Sequence, residues 1–139
     1  MAVVTRELTL QSKGELDMLD ITGDVAQAVE TSGLRNGVVT VFIPGSTAAV
    51  TTIEYEPGLV KDFPEMLKRI APREILYEHD KRWHDGNGHS HVRAALIGPS
   101  LTIPFTDRRL TLGTWQQVVF VEMDVHSRSR RLILQLMGE

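Results

Sequence analysis

The chain has 139 residues, 42% apolar and 24% charged, and its 15 basic and 18 acidic residues leave a net charge of −3 and a pI near 5.9. Such values describe an ordinary globular protein with one domain, 1–139; they give no electrostatic case for nucleic acid, and no run of about 18 apolar residues offers to span a membrane. The absence of cysteine excludes disulfides, Fe–S clusters and thiolate zinc sites, and Arg6 and Glu7 fall where a signal peptide needs an apolar core, so a cytoplasmic protein is expected.

Residues Val3 to Gln11 alternate, with Val4, Leu8 and Leu10 on one side and Thr5, Glu7 and Thr9 on the other. Period two predicts a strand, marred by Arg6 on the apolar side. Thr22-Gly23-Asp24 reads as a helix start with Thr22 as N-cap. Val25, Ala28 and Val29 then keep helical spacing to a stop at Gly33. Asn36-Gly37 is a turn, and Val38 to Ile43 is an unbroken apolar run of the kind found in a buried central strand. Pro44-Gly45 ends it, and Ala48 to Glu54 is a second β-branched strand.

After Pro57-Gly58, the residues Leu59, Phe63, Met66, Leu67 and Ile70 mark an amphipathic helix that runs to Ala71-Pro72. Pro64 lies inside it and predicts a kink or a split. A polar loop from Glu78 follows, then a short helix over His91 to Ile97, closed by Gly98-Pro99. Strands are expected over Leu101–Phe105, Leu110–Leu112, Val118–Met123 and Arg131–Leu136, with a turn at Asp107-Arg108-Arg109. The class is α+β: about two or three helices on a mostly antiparallel sheet.

Four of the five histidines, His79, His84, His89 and His91, crowd into the polar loop with Asp80, Asp85 and Asn87. Neutral imidazole is the commonest metal ligand and the acid/base best matched to neutral pH. A catalytic zinc keeps three protein ligands and one open position, and His84, His89 and His91 can supply three. If a helix opens at His91, His89 and His91 cannot share one of its faces. Ser46 and Thr47, after the apolar strand, offer an anion cradle of hydroxyls and backbone N–H groups. Thr114 and Gln116, beside Trp115, fit a pocket wall. Arg130, in the run Arg128-Ser129-Arg130-Arg131, fits a phosphate, although such a run also serves as a solvated strand edge.

Taken in order, Gly45-Ser46-Thr47-Ala48-Ala49-Val50-Thr51 through Glu54, Asp85-Gly86-Asn87-Gly88-His89-Ser90-His91, Gly98 to Pro104, Gly113-Thr114-Trp115-Gln116 and Arg130-Arg131 resemble the YjbQ-like family. The resemblance implies a compact α+β fold assembling as a homotrimer, with the site near subunit boundaries. It implies a pocket built from the histidine loop, the Ser-Thr segment, Glu54 and the Gly-Thr-Trp-Gln segment, and a weak thiamine-phosphate synthase activity. It falls directly on His91, whereas His79 lies outside the matched run. Gly45 departs from the family, where many members carry His, and Arg108 stands where many carry Gly.

Together these imply a divalent metal, Zn²⁺ before Mg²⁺, on His84, His89 and His91. Glu54, Asp85 and His91 are the acid/base candidates. Ser46, Thr47, Asn87, Thr114, Gln116 and Arg130 are the candidates for holding a small phosphorylated molecule. Pyrophosphate departure, which the synthase reaction requires, calls for Mg²⁺ on oxygen ligands. A histidine-rich site fits metal-assisted hydrolysis of a small phosphorylated or carbonyl compound better. The alternative is a non-enzymatic trimeric module that binds a ligand or a metal, and a purely structural metal is a third reading.

Overall fold

Alternation over the first residues produces the strand that period two predicts: β1 (Ala2–Gln11) in the computed structural model, which describes residues 1–139. Val4, Leu8 and Leu10 turn to the core, and Arg6 is tolerated because β1 is a sheet edge whose only neighbour is the last strand. The chain continues through β2 (Met18–Asp20), α1 (Thr22–Thr31), β3 (Gly37–Phe42), β4 (Ala48–Ile53) and α2 (Pro57–Ile70). Then come α3 (Glu78–Trp83), α4 (Gly88–Ile97), β5 (Ser100–Thr106), β6 (Arg109–Leu110), β7 (Gln117–Glu122) and β8 (Ser129–Gly138). All pairings are antiparallel, in a five-stranded sheet β1-β8-β3-β5-β6 and a three-stranded sheet β2-β7-β4. The α+β class expected from the sequence is the one found.

The helix count is four, not two or three. The extra helix, α3, lies inside the stretch that reads as loop. Its one and a half turns bury no residue, so no apolar period betrays it. The carboxylate of Asp80 holds its start instead, accepting the N–H of Tyr77 at 3.4 Å. Thr22 is not a cap: the carboxylate of Asp20 accepts from its N–H and hydroxyl, and the same hydroxyl accepts from the N–H of Val118. Pro64 does not split α2, which runs unbroken from Pro57 and is capped by the Glu56 carboxylate on the N–H groups of Gly58 and Leu59.

The core forms where the two sheets and α1 meet, through Val25, Val29, Val39, Val41, Val50, Phe120, Leu134 and their neighbours. Only alternate residues of β3 enter it, since an antiparallel sheet has one face on the core. The three-stranded sheet is covered on both faces. Val118 and Phe120 face the main core, while Val119, Val121 and Ala49 lie under Leu67 of α2 and Ala94 of α4. This explains why Val118 to Val121 is apolar without alternation. It also fixes the site, because it seats α4 over the start of β4 and the end of β7.

Strand β6 is shorter than the Leu110–Leu112 segment expected and pairs with β5 through Thr106 and Arg109. The two residues between them, Asp107 and Arg108, have φ of 49° and 63°. Both central residues are left-handed, the geometry of a tight type I′ hairpin, which favours Gly in second place. Arg108→Gly therefore stabilises the protein by about 1 kcal/mol, a rise in Tm of roughly 3 °C. Scanning calorimetry checks this, and an unchanged or lower Tm counts against a strained turn.

Candidate functional site

Antiparallel pairing of Ala48 with Glu122 sets the start of β4 beside the end of β7. Ser46 and Thr47 precede the first, and Met123 and Asp124 follow the second. The N-terminal turn of α4 lies against the same end and contributes Asn87 and His91. Helix α3 packs alongside and brings His79. The rings of His79 and His91 are 4.3 Å apart, tilted by 39°. Nδ1 of His79 is buried and has no hydrogen-bond partner. It lies 3.5 Å from Asp85 Oδ1 and 3.9 Å from Asp80 Oδ1.

His79, Asp80 and Asp85 each present a ligand atom within 4.8 Å of the other two. A tetrahedral zinc with bonds of about 2.0 Å needs ligand atoms about 3.3 Å apart. Asp80 is also fixed from outside, because Oδ1 accepts the N–H of Gly88 at 2.9 Å and so ties α3 to the start of α4. A side chain at Gly88 would run into Tyr77, its Cβ coming within 2.5 Å. Asn87 sits between two carboxylates. Its amide donates to Asp124 at 3.4 Å or, turned over, to Asp85 at 2.9 Å.

The expected triad His84, His89 and His91 does not converge. His84 caps α3 in the left-handed conformation, φ 57°, and is exposed. His89 is 1% exposed and faces away from His91. The helix begins at Gly88, so residues two apart are separated by about 200° around its axis. His89 Nε2 instead meets Glu15 Oε1 at 2.7 Å, beside Arg93, which donates to the same oxygen at 2.9 Å. His91 remains at the site. Burial, then the neighbouring His79, holds its imidazole below the usual range, so the ring is neutral near pH 7.

Thr47 and Arg130 belong to a buried network. Arg130 donates from Nε to Glu122 Oε1 at 2.9 Å and from Nη2 to Thr47 Oγ1 at 2.9 Å and to Glu122 Oε2. Ser12 donates to Glu122 at 2.7 Å, and Thr47 to Asp124 at 3.2 Å. Burial alone would raise the Asp124 carboxyl, but the N–H of Val125, Arg128 and Asn87 outweigh it and hold the group below the usual carboxylate range. Glu122 and Asp124 were not singled out in the sequence, although two acids placed two apart at the end of an apolar strand, with arginines close behind, carry the signal of a buried ionic cluster.

The remaining candidates stand at the other end of β4. Five residue steps at about 3.3 Å put its ends about 17 Å apart. There Ile53 pairs with Gln117, and Glu54 is exposed. Gln116 accepts from the N–H of Gly113 and donates to Thr52, while the carbonyl of Thr114 accepts from Gln117. Trp115 is 73% exposed. This end has its own hollow of about 700 Å³, which Gln116 lines with Thr22, Arg108 and Arg109. Within one chain, then, Glu54, Thr114 and Gln116 do not reach His91.

A family model described as UPF0047 protein YjbQ-like matches residues 6–139. A UPF0047 protein of Methanothermobacter thermautotrophicus is 38% identical over 139 residues, which is 100% of this chain and 95% of that protein. Among solved structures, a YbjQ-like protein of unknown function from Sulfolobus solfataricus P2 superposes with a TM-score of 0.94 at 30% identity, covering 99% of both chains. A hypothetical protein from Aeropyrum pernix K1 gives 0.90 at 38% identity, covering 98% of this chain and 99% of that one.

Proposed function

The chain belongs to the YjbQ-like UPF0047 family, and from that premise we propose that the cleft beside His91 takes a small phosphorylated molecule with the help of a divalent cation. The observation that carries the proposal is the unpartnered buried Nδ1 of His79, with two carboxylates within reach of it. A buried polar atom left without a partner is unfavourable and calls for an explanation, and a cation provides one. One imidazole and two carboxylates suit zinc, with the harder Mg²⁺ as the competitor. In this reading His79, Asp80 and Asp85 hold the ion in place of the expected His84 and His89.

When bound, the cation supplies Lewis acidity. The chain supplies the rest. His91 packs on His79 and opens to a cleft of about 340 Å³ that Gly45 and Ser46 also line. It is placed to move a proton to or from a ligand lying there. Asn87 steadies Asp85. Hydrolysis of a phosphate or carbonyl compound is the reaction these groups favour, and the synthase activity that the family resemblance implies is secondary in this reading. No helix is long and apolar enough to cross a membrane, and we place the protein in the cytoplasm.

Assembly belongs to the same proposal. A homotrimer with its sites at subunit boundaries would let Glu54, Thr114 and Gln116 of one chain complete the cleft of the next. Elemental analysis and thermal melting test the metal. The purified protein is expected to hold about one zinc per chain, and added Zn²⁺ to raise Tm reversibly with chelator. His79→Ala and Asp85→Asn should lose that rise while staying folded. No bound metal, and no rise in Tm with Zn²⁺ or Mg²⁺, would sink the cation.

A further inference from the structure

Arg130 is 7% exposed, and two of its three nitrogens are occupied by Glu122 and Thr47. The third, Nη1, makes no hydrogen bond within the chain and is not sealed from solvent. It stands behind Gly45, where a Cβ would come to 3.4 Å from it. Gly45 has φ +123°, a region closed to other residues. The backbone N–H groups of Gly45 and Ser46 also donate to nothing in the chain. Gly45 and Ser46 both open onto the cleft that His91 lines.

We propose that Arg130 Nη1, uncovered by the absent side chain at position 45, forms with the N–H groups of Gly45 and Ser46 the anion subsite of this cleft. The ligand class is a phosphomonoester, whose three terminal oxygens match three separate donor groups. The inference rests on the reading of the cleft as a phosphoryl site and adds to it the group that grips the anion. Thr47, expected from the sequence to share this work, holds Arg130 instead, since its hydroxyl accepts from Nη2. Glu122 fixes the guanidinium plane, so Nη1 is held in place behind Gly45 before the ligand arrives.

The probe is inorganic phosphate, titrated by calorimetry in the presence of chelator so that no metal contributes. Replacing Arg130 would unbalance Glu122, so the variants are placed at Ala95, an exposed residue of α4 that lines the cleft. Wild type is expected to bind phosphate saturably. Ala95→Glu should weaken binding roughly tenfold or more by charge repulsion, and Ala95→Lys should match or exceed wild type. A crystal soaked in phosphate should show the anion on Nη1. No saturable binding by wild type, equal binding by Ala95→Glu, or an anion elsewhere overturns the subsite. Phosphate binding without any uptake of zinc would keep this inference and remove the cation from the proposed function.

Discussion

Arg130→Met is expected to destabilise the protein by about 3–5 kcal/mol, because it breaks a buried ion pair from one side only. Glu122 is 0% exposed, and its two oxygens accept from Nε and Nη2 of Arg130. The variant leaves that carboxylate charged in the interior with only the Ser12 hydroxyl and the Asp124 N–H as donors. A domain has about 5–15 kcal/mol of stability in total, so the loss is a large share of the whole. Urea denaturation measures it. The double variant Arg130→Met/Glu122→Met removes both charges and should recover most of the loss, since apolar replacement of a whole buried pair is close to neutral. It should still fail to bind phosphate, because Nη1 is gone. A single variant as stable as wild type would show that the pair does not hold the end of β7 to β8.

Glu15→Ala is expected to cost about 3 kcal/mol, the low end for a buried pair because Glu15 is partly open to solvent. Its carboxylate is shared by three cations or potential cations. Oε1 meets His89 at 2.7 Å and Arg93 at 2.9 Å, and Oε2 meets Arg73 at 2.8 Å. Arg93 is 1% exposed, and its other anchor in the chain is the carbonyl of Ala71. Without Glu15 its charge is left inside with one neutral acceptor. The network joins the β1–β2 loop to α4 and to the end of α2, so the loss should appear as cooperative unfolding. The zinc-induced rise in Tm should survive in this variant and in His89→Ala, because both residues lie on the far side of α4 from His79. Loss of that rise in either variant would return His89 to the metal site.

The family was legible because its motifs are contiguous. Gly45 to Thr51, Asp85 to His91 and Gly113 to Gln116 keep their order whatever the fold does between them. The main strands were legible from period two, and β3 and β7 from their unbroken apolar runs. Helix α3 was not, since six residues that bury nothing have no periodicity to read. His79 ranks behind His84, His89 and His91 in the sequence for the same reason, because it owes its place to that helix. The capping pair of Tyr77 and Asp80 was the one local signal, and its carboxylate works as much between helices as within one.

The sequence by itself determined which family the chain belongs to and that a mostly antiparallel sheet with helices would form. Those follow from composition, contiguous motifs and local period, none of which depends on long-range geometry. Tertiary structure alone decided which imidazoles meet. Starting α4 at Gly88 turns His89 inward to Glu15 and leaves His91 against His79, through about 200° of helical rotation. It also decided that most of Arg130 serves Glu122 across the junction of the two sheets, while Thr47 accepts from Arg130 and donates to Asp124. Finally it set Glu54 and Gln116 at the opposite end of β4, a separation fixed by strand length and invisible to any motif.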